Sequence, residues 1–170
     1  MLRFVLLNVL GGIAVLGSYA HGIATHPTLV PALWGEMPAS LQSVYNVTML
    51  VAAAGYFPFT YVFLRHGRSM TYFGTKGLGT IEALYALVLV PSALWMPLTF
   101  AWLESPSTPL WLAVRGVLAL VAFGSYGLFA ALVTAKPRVS TPLFAAAVLG
   151  LLAFTLQTGV LDPWIWPLYL

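Results

Sequence analysis

The sequence predicts an all-α fold, a five-transmembrane-helix bundle with its N-terminus in the cytoplasm and its C-terminus outside. Three observations predict it. Hydrophobic residues make up 61% of the 170 residues and charged residues only 6%, whereas a soluble domain has about 25% charged residues. The apolar residues fall into five long stretches. The segments that separate these stretches alternate between basic and acidic. The chain has no cysteine, which excludes disulfides and thiolate metal sites.

The apolar stretches predict five helices, at about 4–25, 42–65, 79–103, 109–134 and 142–163. Each is at least as long as the ~20 residues that a helix needs to cross the hydrocarbon core. Together they form a single integral membrane domain over residues 1–170. The first stretch also resembles a signal peptide, and we interpret it as a membrane helix that directs insertion. Most connections are short, so consecutive helices are expected to be antiparallel neighbours.

The charges between the helices are sorted by sign. The basic segments carry Arg3, then Arg65, Arg68 and Lys76, then Lys136 and Arg138. The acidic segments carry Glu36, Glu104 and Asp162. Because cytoplasmic loops retain Lys and Arg, this pattern predicts the orientation and a place in a bacterial inner membrane or an equivalent membrane. The net charge of +3 follows from the same rule and indicates no nucleic-acid partner.

Two features predict a pocket in the outer half. The long connection from His26 to Leu41 contains several prolines and Trp34, which is typical of an ordered lid or of an ordinary connector. Pro97 lies within the third helix and frees the carbonyl of Ala93. A kink there would open a cavity beside the third helix, although plain kinked packing is an equal alternative.

Small residues recur at a spacing of four on three helices, at Ala14, Ser18 and Gly22, at Gly127 and Ala131, and at Ala146 and Gly150. This spacing lets helix backbones approach closely. We expect the contacts to lie within one chain, and a homodimer interface is the alternative.

All six tryptophans fall in the outer half on this topology. Most of them, Trp166 included, fit an interfacial aromatic belt. Trp95 is the exception, since it lies about eight residues inside the third helix, or roughly 12 Å at the helical rise.

Arg115 lies in the fourth helix at about the depth of Trp95. A charge there costs several kcal/mol unless it is paired or reaches the headgroups. The Trp95 ring, the Ala93 carbonyl or an anionic ligand could pair with it, and snorkelling to the interface is the alternative. Polar residues at similar depth, among them His21, Asn46 and Gln157, could line the same cavity or form ordinary interhelical hydrogen bonds.

The chain lacks the residues that several functions require. No acidic residue is expected at mid-membrane, which disfavours a proton pump. A metal site from His21, His26 and Glu36 is too weak a pattern to predict. No acid–base set is visible, so the sequence does not predict an enzyme, and it indicates no particular cofactor.

The segment Leu94-Trp95-Met96-Pro97-Leu98-Thr99-Phe100 resembles the Trp-x-Pro-x-x-Phe pattern of the TspO/translocator protein family, the tryptophan-rich sensory proteins. Trp95, Pro97 and Phe100 are the residues that match. The long first loop is also similar to that family. Ser92 stands where the family usually has Asn. The resemblance implies a five-helix bundle that binds porphyrins or sterols.

These observations favour a protein that binds or transports a hydrophobic molecule, which can carry an anionic group, in an outer-half pocket. The ligand classes are a tetrapyrrole, a sterol or a membrane lipid. Trp95 and Phe100 would contact it beside Pro97, Arg115 would neutralise its acid, and Trp34 would cover it. An accessory subunit of a larger membrane-protein complex is the alternative. A lipid-modifying enzyme ranks third.

The orientation can be tested by labelling, because the native chain has no cysteine. We expect an impermeant thiol reagent applied from outside to leave a Ser69→Cys variant unlabelled, since this loop is basic and should face the cytoplasm. A Glu36→Cys variant is the positive control. Labelling of Ser69→Cys from outside would reverse the topology.

Overall fold

The computed structural model describes residues 1–170, except for the side chain of Thr75. It contains five α-helices, which are α1 (Leu2–Thr25), α2 (Ala39–His66), α3 (Gly79–Glu104), α4 (Thr108–Thr134) and α5 (Thr141–Leu156). Five helical spans are long and apolar enough to cross a membrane, the fifth running over Thr141–Leu168. The five-helix membrane bundle is therefore confirmed, whereas its orientation stays a prediction.

Shorter elements occur at both ends of the bundle. A 3-10 helix, Val30–Trp34, lies in the connection between α1 and α2. Strands Thr71–Tyr72 and Thr75–Lys76 form a hairpin between α2 and α3. After α5 the chain continues as a π-helical segment, Gln157–Ile165, and a 3-10 turn, Trp166–Leu168. We call the two ends of the bundle the lid end and the hairpin end, and residues 26–38 the lid.

The helices do not pack in chain order. The consecutive helices α3 and α4, and α4 and α5, are neighbours as expected. The expectation is wrong for the first three helices, because α1 packs on α3 and α2 packs on α5. Small residues decide these contacts. Gly22 packs against α3, where an added Cβ would lie 2.8 Å from Met96. Gly55 and Gly150 bring the backbones of α2 and α5 together. The small-residue positions Gly22 and Gly150 therefore serve packing within the chain, as expected.

An aromatic core closes the hairpin end. The Tyr85 side chain is fully buried, and its ring packs edge-on against Phe4 at 4.9 Å. Its hydroxyl shares a hydrogen bond of 2.8 Å with Thr60. Backbone hydrogen bonds of 2.7 and 3.2 Å join Thr71 to Lys136, so the two loops at this end are tied together. Six of the seven basic residues lie at this end, in the loops or in the terminal turns of the helices, namely Arg3, Arg65, Arg68, Lys76, Lys136 and Arg138.

The crossing of α2 and α5 makes a stability prediction. In Gly150→Ala the new Cβ would lie 2.5 Å from the Gly55 carbonyl oxygen, so the helices must separate. We expect a loss of roughly 1–3 kcal/mol, as for other overpacked sites, measured as a lower melting temperature in detergent. Gly12→Ala is the control, since nothing lies within 4 Å of its added Cβ. Equal melting temperatures for the two variants would contradict the prediction.

Candidate functional site

Pro163 explains the π-helical segment. A proline inside an α-helix removes a backbone donor and clashes with the carbonyl four residues earlier, which here belongs to Gly159. The helix widens around this point, and the hydroxyl of Tyr126 donates to the Gly159 carbonyl. The hydroxyl of Tyr45 donates to the Leu161 carbonyl at 2.7 Å. Side chains from α4 and α2 thus satisfy carbonyls that a regular helix would pair with its own backbone.

The widened helix creates a polar pair, Gln157 and Asp162. Residues five apart lie about 140° apart around an α-helix, whereas a π-helix pairs residues five apart through its backbone. The Nε2 atom of Gln157 donates to Oδ1 of Asp162 at 2.6 Å. Gln157 is buried, with 4% of its side chain exposed, and Asp162 is half-buried. The sequence predicted Asp162 in an outer segment, without a contact to Gln157.

Two buried polar atoms near this pair have no partner among the residues that the structure describes, Nε1 of Trp95 and Oε1 of Gln157. The Trp95 ring lies between the rings of Tyr19 and Trp166, with centroid distances of 5.5 and 5.4 Å. Trp95 packs in the same cluster of side chains as Leu161 and Ile165 of the π segment. We call this region of the lid end, together with the polar pair, the compartment. One donor and one acceptor in it lack partners among the described residues.

The lid covers this compartment. Leu33 is buried against Met96 and Phe100 of α3. The Nε1 atom of Trp166 donates to the Leu33 carbonyl at 2.7 Å. The edge of the Trp34 ring faces Tyr45, with the centroids 6.0 Å apart. The connection that follows α1 is therefore an ordered lid rather than an ordinary connector.

The chain after the π segment holds the lid in place. The backbone N–H of Glu36 donates to the Tyr169 carbonyl at 2.9 Å. Gly35 has a φ of 49°, and an added Cβ would lie 2.0 Å from that carbonyl oxygen, so only glycine fits. At the other end of the lid, the His26 ring stacks on Phe100 at 4.6 Å. The lid is thus fixed at both ends.

The cavities lie elsewhere. A cleft of about 520 Å³ opens at the surface of the lid end, lined by Trp102, Pro106, Ser107, Thr108, Trp111, Pro167 and Leu170. A second, of about 290 Å³, is a groove on α2 lined by Ser43, Val44, Val47 and Thr48. Neither has Trp95 in its wall, where the sequence predicted a cavity. The rings of Tyr19 and Trp166 occupy the space beside Trp95 instead.

Of the eight predicted site residues, the structure brings four to the lid or to the compartment beneath it, namely Trp34, Trp95, Phe100 and Gln157. Three others have exposed side chains, His21, Asn46 and Pro97. Each of these three adjoins a buried residue, and one step along an α-helix turns the side chain by about 100°. Helix register, which the sequence could not reveal, therefore points them away from the interior.

Arg115, the eighth, is half-buried on α4. Among the described residues it forms no salt bridge and no cation–π contact, so the predicted pairing with the Trp95 ring is absent. Snorkelling and contact with a ligand both stay predictions.

Trp166 is a correction to the sequence analysis. It was expected in the interfacial belt, but only 4% of its surface is exposed, whereas 61% of Trp164 is exposed. Two sequence features could have indicated a widened helix and a buried segment here. One is the proline that follows Asp162, and the other is the spacing of five residues between Gln157 and Asp162.

No metal-binding arrangement of three or more His, Asp or Glu side chains occurs in the part of the chain that the structure describes. His26 instead lies 3.3 Å from a carboxylate oxygen of Glu104.

The chain was also compared with known proteins. No protein-family profile, no curated protein and no solved structure matches it.

The bond between lid and π segment can be tested with two tryptophans that lie close together in sequence. Trp166→Phe removes the donor to the Leu33 carbonyl, and leaving a buried acceptor unpaired costs about 1–3 kcal/mol. We expect faster amide hydrogen exchange over residues 30–37. Trp164→Phe, at an exposed position, should leave exchange unchanged. Equal exchange rates in both variants would show that this bond does not hold the lid.

Proposed function

We propose that this integral membrane protein binds a small amphipathic molecule in the lid-end half of the bundle, beneath the lid. The observation that carries the proposal is the pair of unpartnered buried atoms, Nε1 of Trp95 and Oε1 of Gln157. Each costs about 1–3 kcal/mol while it lacks a partner. A molecule that offers one acceptor and one donor would form both missing hydrogen bonds and remove both costs.

The surroundings suit such a molecule. The rings of Tyr19 and Trp166 pack against the Trp95 ring, and Tyr45 belongs to the same cluster of side chains. These rings would contact the apolar part of the molecule. The hairpin end is closed by the packed core around Tyr85. Access would therefore be from the lid end, either through displacement of the lid or from the lipid between α1 and α2, which are not close neighbours.

The distribution of charges along the chain indicates the side of the membrane from which the ligand would enter. On the predicted topology the lid end faces outside, because the basic segments between helices all lie at the hairpin end. The ligand would then enter from the outer leaflet or the outer aqueous phase.

The resemblance to the TspO family stays a prediction, and so do the ligand classes that it implies, a tetrapyrrole or a sterol. Trp95 and Phe100 of the matching segment lie at the lid end, where the proposed ligand would bind. The exposed position of Pro97 limits it to shaping α3 rather than touching the ligand.

One observation favours the alternative, an accessory subunit without a ligand of its own. Only 6% of the apolar span of α1 is buried, against 50% for α4, and α1 packs chiefly on α3. Its free face would then contact a partner membrane protein instead of lipid.

The proposal is tested by native mass spectrometry of the protein extracted from its own membrane in mild detergent. We expect a bound small molecule on the wild-type protein and its loss from a Trp95→Phe, Gln157→Leu double variant, which lacks both unpartnered atoms. Trp102→Phe is the control, because Trp102 lines the surface cleft. The Trp102→Phe control is expected to carry the same small molecule as the wild-type protein.

Two results would contradict the proposal. One is a wild-type protein that carries no small molecule but co-purifies with a membrane protein in fixed ratio, which would favour the subunit. The other is a double variant that holds the molecule as tightly as the wild type, which would place the ligand elsewhere.

A further inference from the structure

We infer that the polar group of the ligand is a protonated amine, which the polar pair of Gln157 and Asp162 binds beneath the lid. This inference rests on the proposed function and names the chemical class that the site would take. It reverses the sign of charge that the sequence suggested through Arg115.

The first step concerns the charge of Asp162. Its carboxylate is half-buried within the bundle and accepts one hydrogen bond, from Gln157. The one salt bridge among the described residues joins His26 to Glu104, so Asp162 has no cationic partner in the chain. An intramembrane acid without a partner is costly and commonly marks a site for an ion or a ligand.

The second step concerns hydrogen bonding. The Oε1 atom of Gln157 is buried and lacks a partner, and it belongs to the same amide that donates to Asp162. One N–H of the Gln157 amide is already bonded to Asp162, so the pair presents mainly acceptors to the compartment, the Oε1 atom of Gln157 and the remaining lone pairs of the carboxylate. A carboxylate or phosphate ligand would meet these acceptors unfavourably, whereas an ammonium group has only donors.

Aromatic side chains lie next to the polar pair. The hydroxyl of Tyr45 donates to the carbonyl of Leu161, the residue before Asp162, at 2.7 Å. The ring of Trp95, which packs against Tyr19, belongs to the same cluster as Leu161. Aromatic faces attract cations and accommodate hydrocarbon. The compartment therefore combines a carboxylate, a free amide oxygen and aromatic rings, which together fit an amine attached to an apolar body.

The test uses three probes with the same apolar part, 4-phenylbutylamine, 4-phenylbutanol and 4-phenylbutyrate. Their affinities for the full-length protein in lipid nanodiscs are measured by isothermal titration. We expect the amine to bind roughly tenfold to a hundredfold more tightly than the alcohol, as a hydrogen bond to a charged group implies, and the acid to bind most weakly.

Variants then assign the preference to Asp162. Asp162→Asn should abolish the preference for the amine over the alcohol, and Asp162→Glu, which keeps the charge, should retain part of it. Glu36→Gln removes the same charge from an exposed position at the lid end and should have no effect. The comparison of probes on the wild-type protein tests the inference even where a variant fails to fold.

The outcomes separate this inference from the proposed function. An amine that binds no better than the alcohol, or a preference that survives in Asp162→Asn, overturns the amine and leaves ligand binding intact. Tightest binding of 4-phenylbutyrate, lost in Arg115→Leu, likewise replaces the amine by an anion. Absence of binding for all three probes overturns the amine, whereas the proposed function is decided separately by native mass spectrometry of the wild-type protein.

Discussion

Backbone groups inside a membrane must find hydrogen-bond partners within the protein, and the lid end is organised around one place where the helix cannot supply them. Pro163 prevents a regular turn, so α5 gives way to a π segment. The hydroxyls of Tyr126 and Tyr45 donate to carbonyls of that segment. These two bonds dock the segment on α4 and α2, and its altered register places Gln157 beside Asp162.

The same segment decides how the lid closes. Because the π segment leads directly into Trp166, that indole reaches the Leu33 carbonyl. The next few residues place the Tyr169 carbonyl against Gly35, in a space that no side chain could share. The lid is therefore held by the end of the last helix as well as by its contacts with α3, so a movement of the π segment would also displace the lid.

The two ends of the bundle use aromatic residues differently. At the hairpin end, rings such as Phe4 and Tyr85 fill the space between helices, and the buried Tyr85 hydroxyl has a partner in Thr60. At the lid end, Trp95 packs equally closely between its neighbours, yet its Nε1 atom has no partner among the described residues. The two ends therefore differ in whether their buried polar groups are paired rather than in how closely they pack, and this difference underlies both proposals.

Composition, span length and the order of charges are properties of short stretches of chain, so the sequence by itself determined five membrane helices and the sorting of basic from acidic segments. It also indicated Trp95 and Gln157 as interior residues. Helix register and neighbour choice depend on contacts between distant stretches, which is why the exposure of His21 and the burial of Trp166 appeared only in three dimensions. The contact of Gln157 with Asp162 had the same origin. It requires a π turn, and that turn is stable only where hydroxyls from two other helices satisfy its carbonyls.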